Sequence, residues 1–555
     1  MSDGDGTGAM RSGGIDRTVL AVAVVVALAL VARLAFLDGR PFHWSEGRVG
    51  YWTLRYLDTG AYSYRPAAGG PVVYLGTRWA IALLGTSDAA ARSAVALVGG
   101  LLPATALLFR GPLRDDETVA LSALLAGSPL LVYYSRFLRG DVLSAAFGLV
   151  VVGGLVRHRT TGARRPIYLS AAAIVLALGS SGFAVVYLPL WLVAGTLVVD
   201  EARVEGIPAA AHARLAAGVA WLRAESTTLA RALFVFLGVA LLVFAPRGGG
   251  TDPGLWNLRT LPAAVAFAFV EAPERFVSLR FAARLTPPAD GNSFLPAVAG
   301  YVRTLAATAW PALVFGLVGF LRDRYSDDAR GVVAFGAYAA GLGLLAFPIA
   351  SMDVEPWTAV HVVPLLALPG AVGLAWLARA LRSRAHASDP AWIVAALLVA
   401  SAGVAGYGAT AAGVYASPEP GSGFSQFAQP SDDIDPMLAA ADAAIADDDG
   451  SDGADVAYVG DRLYTDREYP LPPIAVADRD AWGARLPLQW YFERIGAERT
   501  SVRTAAEFGA DAPPPVVVTT PDRRVTVNTN LGDGYRQYDV RLGLWNRQIV
   551  VFVEQ

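Results

Sequence analysis

Residues 18–37, TVLAVAVVVALALVARLAFL, and the stretch that follows at 41–66, PFHWSEGRVGYWTLRYLDTGAYSYRP, decide how this chain is read. The first has the ~20-residue apolar length that a helix needs to cross ~30 Å of hydrocarbon. No small-residue cleavage motif ends it, so it reads as an uncleaved signal anchor. The second is too rich in charge, Trp and Tyr to be a mere connector. A first span running straight into such a loop points to chemistry at the membrane surface.

Working outward from that pair, the same apolar signature recurs along the first 415 or so of 555 residues. Hydrophobic residues make up 54% of the chain and mean hydropathy is +0.43, which fixes the class as a polytopic membrane protein. Eleven spans are expected, near 18–37, 90–109, 118–134, 141–156, 167–180, 182–199, 232–246, 298–321, 331–350, 358–378 and 391–413. The apolar stretch from Pro166 to Val199 is the ambiguous one, since it holds either one bent span or two. No internal repeat of the inverted-repeat transporter kind is present.

Charge orients the spans. All 45 basic residues are arginine, and there is no cysteine, which excludes disulfides and thiolate metal sites. From Pro418 on there are 23 acidic residues against 12 arginines, a net of −11, which leaves +8 for the first 417 residues. Lysine absence with an acidic tail suggests a halophile, an archaeal source among them. A cytoplasmic N-terminus places the arginine-rich segments 157–165, 203–231, 322–330 and 379–384 inside, as the positive-inside rule expects. Eleven crossings then put loops 38–89 and 247–297, the short 135–140 and 351–357, and the tail on the outer face.

The expected fold is therefore mainly α: a polytopic membrane domain over 1–415 with about eleven transmembrane helices, a Pro/Gly/Ser linker at 416–432, and a small acidic extracellular α/β domain at 433–555. In the tail, DVAYVG, PPVVVTT and RQIVVFV read as short buried strands, while DPMLAAADAAIA and LQWYFERIGAE have helical spacing.

The candidate site gathers on the outer face. Val49, Trp52 and Tyr56 have helical spacing, which suggests an amphipathic helix in the interface plane, and the aromatics alone need be no more than its anchors. Glu46 differs, because an acid just past the first span, flanked by His43 and Arg48, sits where a lipid headgroup is presented. At the next outer junction, LLVYYSRFLRGDVLSAAF places Arg136, Arg139 and Asp141, with Tyr134 beside them, at the membrane boundary. Arginine recognises phosphate bidentately, and a lipid phosphate lies at this depth. The plainer alternative is an arginine–Asp141 pair satisfying polar groups between helices. Asp353, Glu355 and His361 enter the tenth span from the same side.

Taken together, FHWSEGRVGYWTLRYLDTGAYSYRP, SPLLVYYSRFLRGD and PW-x(3)-H-x(2)-PLLALPG resemble the haloarchaeal flippase-activity-associated membrane protein family, within the GT-C superfamily of protein O-mannosyltransferase-like glycosyltransferases. That resemblance implies a lipid-linked sugar donor such as a dolichyl-phosphate sugar, a site at the outer face, and a role in surface or N-linked glycan assembly. It also implies an Asp-Glu pair in the first outer loop. Here the pair reads Ser45-Glu46, so the first carboxylate is missing.

A sugar on polyprenyl phosphate carries a good anionic leaving group, so one base and cations for the phosphate are enough. Glu46 is the candidate base. His43, Arg48, Tyr134, Arg136, Arg139, Asp141 and His361 are the candidate substrate contacts. Neighbouring residues project in different directions, however, so Glu46 does not inherit the geometry of the aspartate that Ser45 replaces. Three readings stay open: a GT-C glycosyltransferase, a non-catalytic partner that binds lipid-linked sugar and assists flipping or assembly, and a transporter. Neither metal nor cofactor is expected. The expected partners are polyprenyl-phosphate-linked sugar, membrane lipids and other glycan-assembly proteins, with no nucleic acid.

Overall fold

The computed structural model describes residues 16–65, 69–204, 208–248, 252–280, 294–351, 356–386, 391–415, 430–447, 453–466, 468, 481–508, 513–542 and 547–555. Asp353 and Glu355 lie outside these residues, as does most of the linker at 416–432.

The N-terminal part is helical throughout. In chain order it forms α1 (Arg17–Leu34), α2 (Trp44–Thr59), α3 (Pro71–Leu84), α4 (Asp88–Leu101), α5 (Asp115–Gly127), α6 (Pro129–Tyr134), α7 (Asp141–Thr161), α8 (Arg165–Ser180) and α9 (Tyr187–Val204). There follow α10 (Pro208–Ala224), α11 (Ser226–Phe244), α12 (Leu261–Ala266), α13 (Ala272–Arg280), α14 (Phe294–Thr308), α15 (Trp310–Arg324), α16 (Gly331–Ser351), α17 (Val363–His386) and α18 (Ala391–Thr410). Among the described residues seven helices are long and apolar enough to cross a membrane, or eight if α14 and α15 count as one broken span. That pair bends by 93° where a single helix over 298–321 is expected. Pro311 begins α15 without an N–H to continue the ladder.

The ambiguous stretch after Pro166 resolves into two elements, α8 and the 3₁₀ turn plus helix from Gly182 onward, parted at Ser181. The first outer loop is not a loop in structure. Besides α2 it holds α3, whose 14 residues are too short to read as a span yet apolar enough to pack on α4 and α8.

Polar contacts sort the helix ends into two groups. At one pole Arg330 pairs with Asp323 and Glu117, Arg379 pairs with Asp116, and Arg110 pairs with Asp16 and Asp115. These are ends rich in arginine. At the other pole the segments expected to share the outer face converge. Tyr62 and Arg247 exchange backbone hydrogen bonds, the Gly70 N–H donates to Ser180 O at 2.9 Å, and the Tyr301 hydroxyl donates to Thr358 O at 3.1 Å.

The tail folds as α19 (Asp435–Asp447), α20 (Ala481–Ala484), α21 (Leu488–Arg494) and α22 (Arg524–Leu531) around a five-stranded sheet. Its strands are β1 (Val456–Val459), β2 (Arg499–Val502), β3 (Val516–Thr519), β4 (Tyr535–Leu542) and β5 (Arg547–Glu554), in the order β2-β1-β3-β5-β4. β1 is parallel to β2 and β3, while β5 runs antiparallel to β3 and β4. β1 and β3 are fully buried four-residue runs, as expected of central strands covered on both faces.

This domain is not a bead on a tether. One continuous hydrophobic core joins Phe42, Val49 and Tyr51 of the first loop to Trp482, Leu486, Trp490 and the sheet. The reason lies on α2, where Gly47 and Gly50 leave a flat strip. A Cβ on Gly47 would stand 2.7 Å from Pro487 Cα, and one on Gly50 would stand 2.6 Å from the Trp490 ring. Trp490 stacks on Phe42 with ring centroids 4.9 Å apart, an arrangement worth ~0.5–1.5 kcal/mol beyond its burial. Asp88, at the start of α4, completes the joint by accepting from Trp490 Nε1 at 2.8 Å, the Tyr491 hydroxyl at 2.9 Å and Arg494 at 3.3 Å.

Candidate functional site

α2 begins where the chain leaves the first helix. The Ser45 N–H donates to His43 Nδ1 at 3.1 Å, and Glu46 Oε2 accepts from the His43 N–H at 2.9 Å, which is a capping box. The same carboxylate accepts from Arg92 Nε at 2.8 Å and Nη2 at 2.9 Å, from Arg40 Nη1 at 2.9 Å and Nη2 at 3.3 Å, and from the Leu138 N–H at 2.7 Å. Six bonds on two oxygens use up the ~four lone-pair directions of a carboxylate. Glu46 is wholly buried rather than exposed on a loop surface. Burial pushes its carboxyl up, but the Arg40 and Arg92 guanidiniums outweigh that and hold it well below the usual range. Its position ties α2 to α4 and to the 135–140 connector.

Ser45 faces a different set. Its hydroxyl lies 2.8 Å from His43 Nδ1 and accepts from Arg139 Nη1 at 3.2 Å. Arg139 Nε donates to Asp141 Oδ2 at 3.0 Å, and its guanidinium covers Trp357 at 4.0 Å. Asp141 Oδ1 accepts from the Ser181 hydroxyl at 2.9 Å and stands 3.4 Å from His361 Nε2, whose Nδ1 is 2.6 Å from the Tyr187 hydroxyl. His43, Ser45, Arg139, Asp141, His361 and Tyr187 thus form one buried polar chain drawn from five segments. Burial, then the nearby Arg139 charge, brings the His43 imidazole down to about 3, so it is neutral. A glycine makes the meeting possible: at Gly140 a Cβ would lie 1.8 Å from Ser180 O, and without one the α7 start closes on the α8 end.

The other expected contacts are placed elsewhere. Arg136 donates to the Ala35 and Phe36 carbonyls, capping the C-terminal end of the first helix, and burial lowers it to about 10. Arg48 is sandwiched between Trp44 at 4.7 Å and Trp482 at 4.9 Å, facing the C-terminal domain. Tyr134 packs on Tyr133 and Phe137. So Arg139, Asp141, His43 and His361 come together, while Arg48, Arg136 and Tyr134 stand apart from them.

An apolar cavity of about 280 Å³ opens beside the polar chain, lined among others by Tyr64, Leu178, Ser181, Phe236, Phe244 and Phe276. Ser181 belongs to both cavity and chain. On the Tyr64 side, Arg65 covers the Trp52 ring at 4.2 Å. Near it the buried Tyr62 and Tyr74 hydroxyls and Trp52 Nε1 have no hydrogen-bond partner among the described residues. Sequence reasoning missed Arg40, Arg92, Ser181, Tyr187 and Arg65. Of these only Arg65 lies within the quoted loop motif, where it follows Tyr62 and Tyr64. Among the described residues no three His, Asp or Glu side chains gather as a metal site.

Residues 434–554 match the family described as Agl23 flippase-associated protein C-terminal domain. That agrees with the resemblance carried by the loop motifs. Among solved structures, ArnT from Cupriavidus metallidurans bound to undecaprenyl phosphate superimposes with a TM-score of 0.52 at 18% identity, over 96% of this chain and 97% of that one. Its apo state gives the same values. The oligosaccharyltransferase AglB from Archaeoglobus fulgidus, in complex with an inhibitory peptide and a dolichol-phosphate, gives 0.49 at 12% identity, over 94% of this chain and 72% of that one. None of the curated proteins matches by sequence. The fold of this chain is like that of ArnT.

Proposed function

We propose that the protein binds a polyprenyl-phosphate-linked sugar at the outer membrane face and passes the sugar on during surface or N-linked glycan assembly. The observation that carries this is the sharing of Ser181 between the apolar cavity and the Arg139–Asp141 pair. A prenyl tail fits the Phe-lined cavity, and its phosphate then lies within reach of Arg139 and Arg65. Cations beside an apolar slot are what such an amphiphile requires. The arginine-rich pole is cytoplasmic in this reading. With an odd number of passes the C-terminal domain then lies outside.

In the transfer itself the acceptor hydroxyl oxygen bonds to the sugar's anomeric carbon as the bond to the phosphate oxygen breaks. The phosphate departs as an anion beside the arginines, and the acceptor's proton goes to a carboxylate. Glu46 is saturated, so we assign it the task of holding Arg40 and Arg92, and assign the proton to Asp141. A second reading, a partner that binds lipid-linked sugar without turning it over, is favoured by Ser45, since Asp141 is itself held by Arg139.

Purified protein in nanodiscs, given labelled polyprenyl-phosphate sugar and an acceptor extract, separates the two. Transfer by wild type that is lost in Asp141→Asn while lipid binding persists supports catalysis. Binding without transfer leaves the partner role. If wild type does not bind the lipid at all, both readings fall.

A further inference from the structure

The helix that presents Ser45 has a second polar face at its other end. Between the last turns of α2, α20–α21 and β2 lies a cavity of about 840 Å³, within the ~300–1,000 Å³ range of small-ligand sites. Of its sixteen lining residues only Trp482, Ile495 and Ala497 bring apolar side chains beyond glycine. A lipid tail or an apolar peptide side chain finds nothing to bind there.

Its charges are nearly balanced, with four arginines against five acids, and Arg55 and Arg499 are paired with Glu468 and Glu493 inside it. Arg55 stands 3.6 Å from Glu493 and 3.9 Å from Glu468, Arg499 pairs with Glu493, and Arg494 pairs with Asp88 at 3.3 Å. With both signs interleaved and nearly equal in number, the cavity offers no strong net field to select either a phosphate or a cation.

What remains is a set of buried groups of both polarities. Arg499 Nη1 and Trp482 Nε1 are donors, Gln489 Oε1 is an acceptor, and none has a hydrogen-bond partner among the described residues. Gln489 and Trp482 are 2% and 1% exposed. An anion satisfies the donors and clashes with the acceptor, while a cation does the reverse. A hydroxyl both donates and accepts, so an uncharged polyol matches all three.

We propose that this cavity is a saccharide-binding subsite. On the reading above, on which this role rests, the saccharide is the glycan acceptor. From Glu46 to Arg55 the helix rises about 14 Å at ~1.5 Å per residue. The acceptor is therefore an oligosaccharide spanning that distance, anchored in the cavity and offering its far hydroxyl toward the Ser45 end.

The test uses the full chain in nanodiscs, with neutral hexose tetrasaccharides as probes followed by saturation-transfer NMR and calorimetry. Inorganic pyrophosphate and a polar tetrapeptide are run beside them, and polyprenyl phosphate binding is measured on the same samples. Gln489→Leu removes the acceptor at nearly constant volume, and Arg55→Ala alters the exposed rim. Wild type should bind a tetrasaccharide, each variant should bind it at least fivefold more weakly, and neither variant should change polyprenyl phosphate binding. The proposal is overturned if wild type binds no tetrasaccharide, if both variants bind it equally well, or if pyrophosphate or the peptide is the better ligand. Variant-sensitive saccharide binding in a protein that ignores polyprenyl phosphate would support this subsite and sink the lipid reading alone.

Discussion

Glu46 and Asp141 are both buried carboxylates at the pole opposite the arginine-rich helix ends, each paired with arginine, and they differ in what is left over. Glu46 accepts six hydrogen bonds and does not line the apolar cavity, whereas Asp141 accepts from Arg139 and Ser181, with His361 close by, and Ser181 opens on that cavity. An acid beside the first span is therefore not a base by position alone. Saturation turns it into a joint between elements, whereas the acid with fewer partners, bonded to the cavity-lining Ser181, is the one we assign to proton transfer.

The sharpest way to break this comparison is to remove the Glu46 carboxylate. Glu46→Ala leaves Arg40 and Arg92 without their anion in a buried setting, and losing one partner of such a set costs ~3–5 kcal/mol. A lower thermal midpoint and poor recovery in detergent are expected. Asp141→Asn should be much milder by the same measure. Equal loss from both would end the distinction.

Next in size is binding. Arg139→Ala removes a charge-assisted phosphate contact of ~1.5–3 kcal/mol, a ten- to hundredfold loss of polyprenyl phosphate affinity in nanodiscs. Arg136→Ala, at a side chain bonded to first-helix carbonyls, should leave that affinity within about threefold and lower stability instead. If the two variants exchange these phenotypes, the assignment of Arg136 as a cap is wrong.

A smaller effect is expected at the domain joint. Asp88→Ala strands the buried Trp490 and Tyr491 donors, costing ~1–3 kcal/mol. The readout is faster proteolysis between the membrane part and the tail, with Asp88→Asn intermediate. Unchanged cleavage would show that the shared apolar core alone seats the domain.

The gentlest test is pH. His43 titrates at about 3 when folded and at ~6.5 when unfolded. Between these values the unfolded chain binds more protons, so stability falls as pH drops through that window. Glu46 is lowered too, so its contribution is present above ~4.3 and is lost as pH falls further. Melting midpoints should decline from pH 7 to pH 5, and His43→Asn should flatten that limb. A flat wild-type profile would place His43 in contact with water.

Much of the architecture was legible in the chain. Apolar length fixed the membrane class, and the short runs DVAYVG, PPVVVTT and RQIVVFV are β1, β3 and β5, because buried strands need consecutive apolar residues. Arginine at the apolar boundary, against the charge bias, also marked the 135–140 connector, whose Arg139 meets Ser45 and Asp141. The partners of each side chain were not legible. Glu46 and Arg92 are 46 residues apart, and Arg139 and Ser45 are 94 apart. Local spacing carries no information on which distant helix will close upon which.

The sequence by itself determined the class, the helical runs, the strands of the tail and the segments at which charge meets the membrane, because these follow from hydrophobic length, periodicity and turn chemistry within a few residues. Only the tertiary structure decided that Glu46 is saturated while Asp141 bonds to the cavity-lining Ser181, that Arg136 caps a helix while Arg139 reaches Ser45, and that the tail shares a core with α2. Each of those outcomes depends on backbone approaches at Gly47, Gly50 and Gly140, where the absence of a side chain permits contact but does not say with what.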